Sequence, residues 1–146
     1  MSYVEDNDRE RARLRALVER LDENDLRRTV YEGWTVAAVL AHVGFWDAAA
    51  LGLARRLAAG EPFSPDDVEP DDVTWINDAA RPLLDALAPR EAAAAALRLA
   101  EETDAVMAGL PPERMYPLDP TSPVNPVRAT HRAEHLDDLE ALFGSG

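Results

Sequence analysis

Apolar residues recur along this chain at the spacing of one buried helix face. Leu14, Leu17, Val18 and Leu21 stand at i, i+3, i+4 and i+7, with Arg9, Arg11, Arg13, Glu19 and Arg20 on the opposite, solvated side. That pattern predicts a first helix over residues 8–28. Residues 29–34 break it and form a short non-helical approach. Thr35 is a good N-cap, and Trp34 before it is placed to staple onto Val39. A second helix then runs to Ala59 and stops at Gly60. Its apolar face holds Val36, Val39, Leu40, Val43, Trp46, Ala50, Ala54 and Leu57.

Residues 61–72 carry three prolines and six acids and read as a solvated loop. They lack the fixed acid offsets and the glycine of a calcium loop. Helical signal resumes over residues 73–87, with a break or kink expected at Pro82. Pro89 opens the next helix, over residues 90–109, on the stripe Ala96, Leu99, Ala100, Thr103, Val106, Met107 and Leu110. The small residues from Ala92 to Ala96 let another helix approach closely. Residues 111–126 hold six prolines beside Met115, Tyr116 and Leu118, the pattern of an ordered crossing over a bundle end. Asn125 is the expected cap of a last helix that starts at Pro126, packs through Leu136, Leu139, Leu142 and Phe143, and ends at Gly144. Four long helices, one short one and no strand signal predict an all-α bundle in one domain, residues 1–146.

Composition narrows the chemistry. With 146 residues and 47% hydrophobic content, the chain is large enough for a substantial core. No apolar run stands out at the roughly 18–20 residues of a bilayer span. The start, Met1 to Asp6, is acidic and lacks the order of a secretory signal, so a cytoplasmic protein is expected. A net charge of −13 argues against nucleic-acid and membrane partners and leaves a small molecule as the expected one. There is no cysteine, so disulfides, Cys-bound zinc and a Cys nucleophile are excluded. All 15 basic residues are arginine, which excludes a Schiff-base or P-loop lysine.

The chain has only 3 histidines. His131 and His135 are four apart, which on a helix stacks both rings on one face with stems about 5–6 Å apart. His42 falls at the edge of the second helix's apolar face, beside Trp46 and Leu53. Two imidazoles from one helix and a third from another make a three-ligand metal site with open positions. Taken singly, each is an ordinary histidine, His135 within the core face of its helix and His42 and His131 toward core edges. The pair is not a zincin motif, because Glu134 does not directly follow His131. Asp47 lies inside the apolar face and needs a partner, best an Arg from another helix. Asp138 is one turn from His135. It is the candidate general base, an acceptor behind a histidine ligand, or a solvated acid.

The run Gly33-Trp34-Thr35-Val36-Ala37-Ala38-Val39-Leu40-Ala41-His42 is followed by Trp46-Asp47, by Trp75-Ile76-Asn77 and by His131-x-x-x-His135-Leu136-x-x-Leu139. In that order and spacing it resembles the DinB-like superfamily, also called the YfiT-like group of metal-dependent hydrolases. That superfamily includes the N-terminal domain of mycothiol-dependent maleylpyruvate isomerase and bacterial low-molecular-weight-thiol transferases. The resemblance covers essentially the whole chain. It implies a four-helix bundle with a long crossover, often dimeric. It also implies a divalent metal held by one residue of the second helix and two of the last, here His42, His131 and His135.

Three functions stay open from the sequence. The first is a metal-dependent transferase or isomerase that activates a low-molecular-weight thiol such as mycothiol, which would supply the sulfur that the chain lacks. The second is a hydrolase using metal-bound water, with Asp138 as base. The third is a metal-stabilised stress or binding protein without catalysis. Imidazole ligands suit zinc, nickel, copper and iron, and affinity order alone does not choose among them; zinc or nickel is expected. Small residues Ala48, Ala49, Ala50, Gly52, Ala58 and Ala59 on the outer side of the second helix suggest a homodimer.

Overall fold

The computed structural model describes residues 2–62, 72–111, 114, 122 and 124–144. Helix α1 spans Tyr3–Arg20, five residues earlier at its start than periodicity alone predicts. Ser2 and Glu5 form a reciprocal capping box, each satisfying a backbone N–H of the other at 3.2 Å. The expected single helix to Arg28 is divided. Leu21 is extended and buried, and Asp22 then caps a short helix α2, Glu23–Leu26, through a second box with Asp25. A two-stranded hairpin follows: β1, Thr29–Tyr31, pairs antiparallel with β2, Trp34–Thr35. Gly33 turns it at φ 78°, a conformation that disfavours any residue with a side chain. These strands overturn the expectation of a strandless chain. They are too short to carry a period-2 signal.

Thr35 caps α3, Val36–Ala58, by accepting from the Ala38 N–H at 3.1 Å. Helix α4 spans Thr74–Ala86, α5 Pro89–Gly109 and α6 Ala129–Phe143. Of the break or kink expected at Pro82, the break is absent, since α4 runs through it. The carbonyl deprived of its i+4 donor belongs to exposed Asp78, where water can serve it. Helix α6 starts three residues later than Pro126. Asn125 instead turns its side chain onto the Val127 N–H at 2.8 Å. Most of the predicted loop at 61–72 and crossing at 111–126, including Met115, Tyr116 and Leu118, lies outside the described residues.

Side-chain contacts fix the helix directions. Asn7 meets Pro126 and Ala129, and Arg13 meets Asp137 and Glu140, so α1 and α6 are parallel. A Cβ at Gly44 would stand 3.3 Å from the Ala96 Cα, and the Thr103 hydroxyl donates to the Asp47 carbonyl. Helices α3 and α5 are therefore parallel, and they touch where Gly44 and the alanine run remove bulk, as the sequence predicts. Arg11–Asp104 and Arg15–Glu101 set α1 antiparallel to α5. Asp47–Arg132 and His42–His135 set α3 antiparallel to α6. The result is an all-α bundle of α1, α3, α5 and α6 running up, down, down, up. Two parallel neighbours in sequence order require a long crossover, and α4 lies on that crossover against α3.

Helix α3 is buried on nearly every side and is the centre of the core. By length and composition it is apolar enough to cross a membrane, unlike the reading from apolar runs, but most of it is enclosed by its neighbours. Leu14, Leu17, Val39, Leu40, Ala96 and Leu139 fill one core cluster, and Trp46, Ala54, Leu57 and Met107 another. Ala50 belongs to the second cluster and is fully buried, so it is not on the outer face proposed for dimer contact.

Candidate metal centre

His42 projects from the second turn of α3, and His131 and His135 from the first two turns of α6. The antiparallel packing of these helices brings the three rings together. Ring centroids are 5.2 Å apart for His42–His131, 5.0 Å for His42–His135 and 4.9 Å for His131–His135. One nitrogen from each ring lies within 4.8 Å of the others. Metal–imidazole bonds of about 2.0–2.1 Å are then within reach of small side-chain rotations. The i, i+4 reading of the sequence and the helix phase of His42 both hold.

Electrostatics suit these rings to a cation. Burial lowers the pKa of His42 to about 4, with His135 and Arg81 adding to the effect. Burial lowers His131 to about 2, helped by Arg128, His135, His42 and Arg132. Burial also lowers His135, against the opposing pull of Glu134 and Asp138. All three are neutral near pH 7, the form that binds a metal. The His131 Nδ1 is buried and has no hydrogen-bond partner among the described residues. A buried imidazole nitrogen without a partner in a cluster of neutral imidazoles fits a metal ligand.

The surroundings orient the rings. The Tyr31 hydroxyl donates to the Asp138 carboxylate and lies 3.3 Å from His135 Nδ1. With its proton committed to Asp138, the phenol oxygen is left to accept from Nδ1–H. The other nitrogen, Nε2, then keeps its lone pair for the cluster. Burial and Asp138 both raise the Tyr31 pKa, so the phenol stays protonated. Trp34 packs edge-on against His42, at 5.6 Å between centroids, and Arg81 lies over the Trp34 ring. Trp34 thus joins the site, beyond the stapling role expected of it.

Asp47 has the partners the sequence demanded. Its carboxylate accepts from Arg128 Nε at 2.8 Å and from Arg132 Nε at 3.0 Å. Arg132 in turn forks onto both oxygens of Asp104 at 2.8 Å. Arg132 directly follows His131, so this network holds the first turn of α6 against α3. Asp138 does not join the histidine cluster and touches it through Tyr31. A groove of about 300 Å³, lined by Val30, Tyr31, Asp138, Ala141 and Leu142, opens beside that pair. Trp46, on the apolar face of α3 as expected, is 5% exposed and donates its indole N–H to Asn77 at 2.8 Å.

Residues 8–140 match the family model described as the mycothiol maleylpyruvate isomerase N-terminal domain. The chain belongs to that family. The match spans the three histidines, Tyr31, Arg81 and Asp138, so the cluster and its surroundings all lie within the family domain. It agrees with the DinB-like resemblance carried by the ordered motifs. Among curated proteins and among solved structures, nothing matches.

Proposed function

We propose that this member of the mycothiol maleylpyruvate isomerase N-terminal domain family binds a divalent metal, zinc or nickel, through His42, His131 and His135. We further propose that it activates a low-molecular-weight thiol such as mycothiol for transfer or isomerisation. The carrying observation is three neutral imidazoles converging in a family domain whose description names that thiol. When bound, a divalent ion held by neutral ligands supplies Lewis-acid charge that lowers the pKa of a ligating thiol from about 8.5. In the transfer, the thiol gives up its proton and its sulfur adds to one carbon of an activated C=C bond, whose π electrons move onto the activating carbonyl. The resulting enolate takes the proton at carbon in a transfer; in an isomerisation it rotates about the new single bond and re-forms the double bond as the thiolate leaves and recovers its proton.

The protein's own groups orient and shelter this site. Tyr31, held by Asp138, fixes the ring of His135 and leaves one of its nitrogens free to ligate. Asp138 is therefore assigned as a positioning residue ahead of a general base, and thiol chemistry stands ahead of hydrolysis. Trp34 covers one edge of His42. A small molecule is the partner expected of such a site, and a homodimer in the cytoplasm is its proposed setting.

The test is thiol consumption with mycothiol and an activated alkene, comparing zinc- or nickel-loaded protein with metal-stripped protein. A rate that requires both metal and thiol is expected. Equal rates with and without metal would overturn the proposal. A metal-dependent ester hydrolysis indifferent to thiol would move the assignment to the hydrolase reading.

A further inference from the structure

Arg81 is the cation of this site that the metal centre does not explain. It comes from α4, on the crossover, and lies 3.7 Å from the Trp34 ring centroid. That ring packs on His42, and Arg81 is close enough to act on the charge of His42. Its Nη2 donates to the Gly33 carbonyl at 2.7 Å and to Asp85 at 3.3 Å. Its Nε is buried with no hydrogen-bond partner, and Nη1 makes no hydrogen bond among the described residues. Stacking uses the face of a guanidinium and leaves its N–H edges available. A buried donor left unmatched is uncommon in a finished structural contact. In a chain of net charge −13, an anion approaching the centre needs such a local cation.

We infer that the Arg81–Trp34 pair is a binding subsite for a carboxylate on the small molecule that occupies the metal centre. It rests on the proposed function for what lies next to it, but not for its own chemistry. Nη1 of Arg81, which makes no hydrogen bond among the described residues, is the donor left for the anion, and Trp34 holds the guanidinium at the side of His42. The carboxylate can belong to the thiol or to its electrophilic acceptor.

The experiment is an NMR titration of metal-free and zinc-loaded protein with succinate. The signals followed are the Arg81 Nε–H and the Trp34 indole N–H, each assigned by substitution. Saturable shifts of both signals are expected in wild type, with binding at least tenfold weaker in Arg81→Gln and intermediate in Arg81→Lys. Zinc binding, read separately by metal analysis, should persist in both variants. Absence of saturation in wild type, or equal succinate binding by a folded Arg81→Gln, would overturn the inference. If the variants do not fold, the wild-type signals alone decide. Anion binding without zinc binding would leave this subsite standing and remove the metal reading. Zinc binding without anion binding would do the reverse. Comparing 3-mercaptopropionate with 2-mercaptoethanol places the anion. An Arg81-dependent preference for the former assigns it to the thiol, and succinate binding alongside either thiol assigns it to the acceptor.

Discussion

Helices α3 and α6 enclose two polar clusters little more than a helical turn apart. One is built from Asp47, Asp104, Arg128 and Arg132, the other from His42, His131 and His135. In the first, both oxygens of Asp47 and both oxygens of Asp104 accept from guanidinium donors, and Arg11 adds a further bond to Asp104 at 2.7 Å. Opposite charges close on one another. In the second, three neutral rings face each other edge to face, and the His131 Nδ1 has no partner among the described residues. Both clusters remove polar groups from water, but only the ion network supplies the matching charge. A closed polar network is a structural device. An open cluster of neutral imidazoles, less deeply buried, supports the proposal that something bound completes it.

The comparison breaks most decisively at Asp47. Asp47→Ala leaves Arg128 and Arg132 buried with a lost counter-charge. A destabilisation of about 3–5 kcal/mol is expected in denaturant unfolding. A loss below about 1 kcal/mol would mean that the network does not hold α6. His131→Ala should do the opposite, abolishing stoichiometric zinc binding. It should shift metal-free stability by no more than about 1–2 kcal/mol, since it also removes a buried nitrogen without a partner. Tyr31→Phe keeps the ring and removes the acceptor for His135. Zinc affinity should fall about 10–100-fold, with the far-ultraviolet circular dichroism unchanged.

The same cluster sets a pH dependence. His42 titrates near 6.5 when unfolded and near 4 when folded. Between those values the unfolded chain binds a proton that the folded chain refuses. Metal-free stability is therefore full above pH 6.5 and falls as pH drops; the His42 contribution is spent below about 4, and His131, held to about 2, carries the fall further. His42→Ala should make that slope shallower, with His131 and His135 carrying what remains. A metal-free wild type with constant stability from pH 7 to 4 would refute the assignment of neutral, buried rings.

The sequence made the histidine cluster legible because both of its signals are local. The i, i+4 spacing and the phase of His42 on α3 survive whatever the tertiary packing does. Asp47 was legible for a similar reason, since a carboxylate inside an apolar stripe requires a countercharge. Its exact partners were not, because Arg128 and Arg132 are more than 80 residues away in the chain. Tyr31 and Arg81 carry no periodic signal at all. One lies in a strand of three residues, the other on a largely exposed helix, and each reaches the site through a long-range contact. The helix start at Tyr3 was different. Ser2-x-x-Glu5 is a capping box visible in the sequence, but apolar periodicity does not begin until Leu14 and so hid it. Pro82 signalled a break that α4 does not show, because an exposed helix tolerates a lost carbonyl partner that a buried one would not.

If the three histidines form one metal site, calorimetric titration of zinc into metal-free protein will register it. The wild type should bind one ion per chain at micromolar affinity or tighter, and a variant with His42, His131 and His135 all changed to Ala should bind none. A wild type with no saturable binding, or a folded triple variant that binds as the wild type does, would contradict it.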